Sequence, residues 1–463
     1  MSASPRGLFG VRALARTVLV ACLVLVGGLW PAGAVTPTAK GVPSSHPTTA
    51  KMSKPSAPTG GLGYVSNSLA WRLAGLTLDP RLKGNLYYDV VDVATGQTVA
   101  ARYAKTPVMP ASSYKLITAA VALHLMPATL RFPTKIVLLP DDPHRPTITR
   151  VAIVGAGDSL LGSADLTSLM GRVARFVTDQ GATTVEINID DALFPAPSLP
   201  TGWLPKYELS EIAPIRALER DERRVTDTSD DVGRWFTTQI RTHGIKAVYG
   251  GRVYAPPGAP VVASFAGHSL GQEVQSMLLY SDNDIAEHVA RLATIAAGLP
   301  PTWANWQRTV RTQLTALSID TTGMQLYDGS GLSRADFVTP ALLITVLKRA
   351  LDVKNHPELK TILVQPPGDL PLAGYTGTLK ARFNDKASKC ARGEVRAKTG
   401  FLTGVGSLTG LAHGVDGRYR LFTFILNNQP PKSSPVAAHV ALDQLAATVV
   451  GCTFASWPAQ PAQ

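Results

Sequence analysis

Three short polar strings constrain this chain more than anything else in it: SSYK at Ser112–Lys115, SDN at Ser281–Asn283 and KTG at Lys398–Gly400. If they serve one site, the fold must gather segments about 169 and 117 residues apart. Each is weak alone, because Ser is often followed by Lys three residues on. SSYK can be a helix cap with an exposed Lys, SDN a polar helix start, and KTG a loop before a strand. Their settings argue for more. Pro110-Ala111 precedes an apolar helical run over 112–125. Ser112 therefore stands at a helix start, with Lys115 one turn on along the same face.

The first 34 residues do not read as fold. Arg6, Arg12 and Arg16 precede the apolar run 17–30, and Ala32-Gly33-Ala34 follows it. That is the layout of a secretory leader cut after Ala34, so residues 1–34 are expected to be removed. The alternatives are an uncleaved membrane anchor, because 17–35 is near the shortest span of a bilayer, and a lipoprotein signal at Leu19-Val20-Ala21-Cys22. Cys22 lies mid-run, where a lipobox would close it. Without the three leader Arg the formal charge of +12 falls to about +9. Such a surface fits plain solvation or attraction to anionic envelope polymers. No basic cluster interleaved with aromatics suggests nucleic acid. Export leaves two cysteines, Cys390 and Cys452, an even count that favours a disulfide over two buried thiols.

Residues 35–61 are rich in Pro, Ser, Thr, Lys and Gly and read as a linker. Strands are expected at 85–93 and 97–103, joined by a turn at Ala94-Thr95-Gly96. From about 131 to 265 strand-like runs (135–139, 150–154, 184–190) alternate with helical ones (164–180, 231–243), which predicts an inserted α/β domain. Helical patterns dominate 269–353. Lys398 leads into one strand-like run at 402–413, a turn at Asp416-Gly417 precedes a strand at 419–427, and 435–450 reads as a last helix. The expected division is 62–130 with 266–455 as one domain and 131–265 as the insertion.

A serine hydroxyl is a poor nucleophile until a base removes its proton. A lysine one turn away can do so when neutral, and burial or a second cation lowers a lysine pKa. Lys398 is the expected second cation, and Ser281 the relay to a leaving amine. Asn283 would hold a substrate carbonyl or orient Lys115. Backbone N–H groups of Ser112 and Phe401 would form an oxyanion hole, and Lys398 and Thr399 would meet a terminal carboxylate. Such a mechanism calls for no cofactor and no metal.

With these strings, YDGSGLSR at 327–334, GTLKARF at 377–383, SDNDIAEH at 281–288 and GAGDSLLG at 155–162 resemble the D-alanyl-D-alanine carboxypeptidase/endopeptidase family of low-molecular-mass, class C penicillin-binding proteins. The resemblance runs from about 84 to 446. It implies an α/β fold: a transpeptidase/β-lactamase-like domain with a five-stranded antiparallel sheet flanked by helices, an all-helical part, and an inserted α/β domain. It implies cleavage of D-Ala–D-Ala ends or cross-bridges in peptidoglycan stem peptides, with β-lactams as inhibitors, outside the cytoplasm. It places Gly400 in the substrate strand, and Leu332, Arg334 and Trp203 around the peptide's side chain.

Three departures stand out. Phe401 replaces the usual hydroxyl residue after KTG, Lys206 stands where an acid is expected, and 217–231 is short. A non-catalytic peptidoglycan-binding scaffold is the alternative from another class, favoured by Phe401 and Lys206 and opposed by the intact Ser112, Lys115, Ser281, Asn283 and Lys398. A β-lactamase would carry a deacylating Glu near Thr315–Ser318, and none is there.

Overall fold

The computed structural model describes residues 62–82, 85–363, 369–430 and 434–452. The leader, Cys22 and the linker lie outside the described residues. Among those described, no helix is long and apolar enough to cross a membrane.

In chain order the elements are α1 (Leu62–Leu76), β1 (Asn85–Asp92), β2 (Thr98–Arg102), α2 (Lys115–Leu125), β3 (Thr134–Leu138), β4 (Ile148–Val154), α3 (Ser163–Asp179), β5 (Thr184–Asp190), α4 (Thr228–Ile240), β6 (Lys246–Arg252) and β7 (Val261–Phe265). Then follow α5 (Leu270–Tyr280), α6 (Asn283–Ala296), α7 (Trp303–Ala316), α8 (Pro340–Leu351), β8 (Val395–Leu402), β9 (Val405–His413), β10 (Tyr419–Asn427) and α9 (Pro435–Val450).

One sheet is wholly antiparallel, in the order β2-β1-β10-β9-β8. Its centre joins the two ends of the described chain, with Asn85 opposite Asn427 and Asp92 opposite Arg420. β10 is buried at every position after Tyr419, as a strand covered on both faces must be. Its pleat sorts the side chains. Phe422, Phe424 and Leu426 pack with α1 and α9, while Leu421 and Ile425 join the core made by α2 and α5 to α8. Burying an aromatic ring such as Phe422 contributes about 1.5–3 kcal/mol. The second sheet, β6-β5-β4-β3-β7, takes all its strands from 134–265; β4, β5 and β6 run parallel, linked by α3 and α4. Both layers belong to one unit.

Two local expectations need correction. The helix expected from Ser112 begins as a 3₁₀ turn, Ala111–Tyr114, and becomes α-helical only at Lys115. The run expected to start at 402 is two strands: KTG lies inside β8, and a two-residue turn at Thr403-Gly404 (Gly404 φ +83°) leads into β9. The polar Lys398 and Thr399 hide the strand pattern because Lys398 is buried in a polar site rather than in the apolar core.

Cys390 and Cys452 are bridged, with a Cα separation of 6.2 Å and a sequence separation of 62. The bridge ties the second residue after α9 to the turn before β8. In the chain-entropy account, opening a loop of this length costs roughly 4 kcal/mol. The Cys390→Ala/Cys452→Ala protein is expected to unfold in guanidinium with that loss relative to the oxidised parent. A difference below about 1 kcal/mol would mean that the crosslink restrains little of the unfolded chain.

Candidate active site

α2 is buried from Lys115 to Leu123 without a break, the pattern of a helix at the centre of its domain. Its sequence therefore drags a lysine into the interior. The preceding 3₁₀ turn places residues three apart in line, so Lys115 sits over Ser112. Ala111, just before the serine, is held at φ +48°, a strained value for a residue with a side chain. Ser112 is half-buried, whereas Ser113 is fully buried and shares a 2.8 Å hydrogen bond with Ser407.

Lys115 Nζ makes three contacts: 3.1 Å to Ser112 Oγ, 2.7 Å to Asn283 Oδ1 and 2.8 Å to the Ser330 carbonyl. Asn283 Nδ2 donates to the Glu211 carbonyl at 2.9 Å, which fixes which amide atom faces the lysine. The second string forms the corner between α5 and α6. Ser281 takes φ +65°, Asp282 caps α6 by accepting from Ile285 N–H, and Asn283 opens the helix. From the third string, Lys398 Nζ donates to Ser281 Oγ and to the Thr399 carbonyl, both at 2.7 Å. The fold thus brings Ser112, Lys115, Ser281, Asn283 and Lys398 into one connected polar cluster.

Both lysines are held below their ordinary range. Burial lowers Lys115 to about 8, with Asp328, Asp282, Glu287 and Asp284 opposing. Lys398 is pushed well below the usual lysine range, by burial first and then by the Lys115 charge. The two buried ammonium groups repel each other, and the carboxylates around Lys115 offset part of that on its side. Lys398 is also fully buried and absent from the cavity wall, so of the two residues expected at a substrate carboxylate only Thr399 is exposed to it.

A cavity of about 540 Å³ opens onto Ser112, Ser281, Asn283, Leu332, Thr399, Gly400 and Phe401. Ala397 N–H donates outward from β8 to the Pro371 carbonyl. Strand alternation then points the N–H groups of Thr399 and Phe401 out of the same edge. A Cβ on Gly400 would collide with Ser407 Oγ and stand 2.9 Å from Ser112 N, so only glycine lets β8 lie this close to the nucleophile's turn. Trp203 is buried off the wall, its indole N–H donating to Asp328 Oδ2 at 2.7 Å. Arg334 also stays off the wall and donates to the Thr403 carbonyl at 3.0 Å.

Sequence reasoning missed the support behind Lys115. Glu287, pushed up to about 8 by burial and Asp328, accepts the Gly329 N–H at 3.0 Å and so seats the Ser330 carbonyl. The signal was available: Glu287 is four residues after Asn283 on the buried face of α6.

Comparison with known proteins agrees with this geometry. The profile of the D-Ala-D-Ala carboxypeptidase 3 (S13) family matches residues 69–222 and 217–449. Over 400 residues the chain is 31% identical to Carboxypeptidase Rv3627c of Mycobacterium tuberculosis, spanning 82% of this chain and 84% of the relative. Carboxypeptidase DacB of Mycolicibacterium smegmatis is 29% identical over 423 residues, 86% of each chain. Penicillin binding protein 4 of Haemophilus influenzae superposes with a TM-score of 0.68 at 20% identity, over 80% of this chain and 97% of its own. Its structure complexed with a β-lactam superposes with a TM-score of 0.63. That likeness establishes the α/β architecture with its inserted domain.

A lysine base works only when neutral. Acylation of Ser112 by an activated ester is therefore expected to rise with pH through about 8, where Lys115 loses its proton, and then level off. Single-turnover rates from about pH 6 to about pH 10 test this; a rate independent of pH across that window would remove Lys115 as the base.

Proposed function

The chain belongs to the D-Ala-D-Ala carboxypeptidase 3 (S13) family, and from that premise we propose that it removes the terminal D-Ala of peptidoglycan stem peptides through an acyl-enzyme on Ser112. The observation that carries this reading is the 3.1 Å contact between Ser112 Oγ and a fully buried Lys115. Neutral Lys115 takes the hydroxyl proton as Oγ attacks the carbonyl of the penultimate D-Ala. The developing oxyanion meets the backbone N–H groups of Ser112 and Phe401. The C–N bond breaks, and the departing amine of the last D-Ala receives, through Ser281, the proton that Lys115 took from Ser112, which returns Lys115 to its neutral form; Lys398 holds Ser281 at 2.7 Å. Water then attacks the ester, Lys115 again serving as base, and frees Ser112.

A β-lactam offers the same carbonyl in a strained ring. Its amine stays tethered after the bond breaks, so it blocks the approach of water and the ester persists. The β-lactam complex of the Haemophilus relative supports this reading. We read residues 131–265 as an inserted domain whose loop after β5, with Lys206, Tyr207 and Glu211, supplies the cavity wall facing the stem peptide. We also read residues 1–34 as an export leader, which puts the enzyme outside the cytoplasm with its substrate.

Ser112→Ala is expected to abolish covalent labelling by benzylpenicillin, read by intact mass. Ser113→Ala should lose about 1 kcal/mol of stability with its buried hydrogen bond and still label. Adduct formation on the Ser112→Ala protein would sink the mechanism.

A further inference from the structure

The cavity continues past Thr399 along a wall that the mechanism does not use. Thr399 Oγ1 donates to Thr378 Oγ1 at 2.9 Å. Thr378 belongs to the 3₁₀ turn Gly377–Leu379, which is wedged against α5; a Cβ on Gly377 would strike the Leu279 carbonyl, two residues before Ser281. Four residues on from Thr378, Arg382 lines the same cavity.

Arg382 is held from behind. Its Nε donates to Asp443 Oδ2 at 3.2 Å, and its Nη2 to Asp443 Oδ1 at 2.7 Å and to the His439 carbonyl at 3.1 Å. Nη1 has no partner among the described residues. Two salt-bridge contacts to a buried aspartate fix the plane of the guanidinium and leave that one nitrogen for a ligand. The neighbouring groups do not compete for an anion. His439 is kept neutral, near 4, by burial and the Arg382 charge. Phe401 packs edge-on to His439 at 5.3 Å. The other charged groups on the cavity wall beside Arg382, Lys206 and Glu211, come from the loop after β5 and are of opposite sign. Lys398 does not reach the cavity.

We infer that Arg382, on the wall beside Thr399, anchors the terminal carboxylate of the substrate's leaving D-Ala. This rests on the acyl-enzyme reading above. It also accounts for Phe401: a wall that carries a guanidinium does not need a hydroxyl there. One charge-assisted N–H···O⁻ bond from a preoriented guanidinium is the stronger donor of the two.

The test uses the exported protein and two matched thiolesters, one ending in a free carboxylate and one in its methyl ester. Both acylate Ser112; only one carries the anion. The parent enzyme is expected to prefer the acid at least tenfold in kcat/KM. In Arg382→Lys that preference should fall by tenfold or more, chiefly through KM, and Phe401→Thr in the Arg382→Lys background should recover part of it. Equal rates of the parent on acid and ester overturn the inference, whether or not the variant folds. So does an Arg382→Lys protein that loses activity equally on both. A parent that is acylated by neither ester counts against the acyl-enzyme reading instead.

Discussion

The structure turns on a lysine ammonium buried at the head of a helix with no exposed face. Lys115 has three hydrogens when charged, and three acceptors meet them: Ser112 Oγ, Asn283 Oδ1 and the Ser330 carbonyl. Two of these oxygens can only accept. When the lysine loses a proton, both still require an N–H, so the lone pair must turn to the one partner that can reverse its bond, the serine hydroxyl. The arrangement aims the base without any further group to orient it. It also explains the wide spacing of the first two strings, since the acceptors from SSYK, from SDN and from the 328–333 loop come from different parts of the chain.

That geometry is expensive to hold, because an unpaired ammonium in the interior would be strongly destabilising. The protein offsets it with carboxyls in the wall around it. Asp328 gathers the Trp203 indole and the N–H groups of Gly331 and Ser333, and Glu287 takes that of Gly329. These bonds lock the 328–333 loop, and the loop presents Ser330. Trp203 is tied to the site through Asp328. The second lysine, Lys398, is also pushed below the usual lysine range, by burial and then by the Lys115 charge.

The fold was legible where local pattern and tertiary role agree. The β1–β2 hairpin, the alternation of β4, α3 and β5, and α9 all follow from periodicity and turn residues, because each buries one apolar face. KTG was misplaced because a buried lysine and a glycine in contact with another chain segment break the apolar pattern of β8 without breaking the strand. The nucleophile and its base were legible because their spacing is local. Arg334 and Trp203 were read as cavity wall, but a side chain's direction is set by partners elsewhere in the chain, here Thr403 and Asp328. Glu287 could have been found from its spacing to Asn283 on α6, whereas only the fold shows what Arg382 faces.

The two ends of the cleft are built differently, and the difference follows from the chain's topology. On the stem-peptide side the wall is a loop attached to the second sheet, tied to the nucleophile's cluster by Asn283 to the Glu211 carbonyl and by Ala213 N–H to Asp284 at 2.7 Å. On the leaving-group side the wall belongs to the first sheet and α9, crosslinked by Arg382 to Asp443 and by the Cys390–Cys452 bridge. A loop wall can change its side chains without disturbing the sheet, so selectivity for the peptide can drift there, as Lys206 suggests. The other wall is braced to the sheet that carries KTG, so a residue there must satisfy packing as well as binding. Phe401 meets the first requirement through His439, and that leaves the second to Arg382.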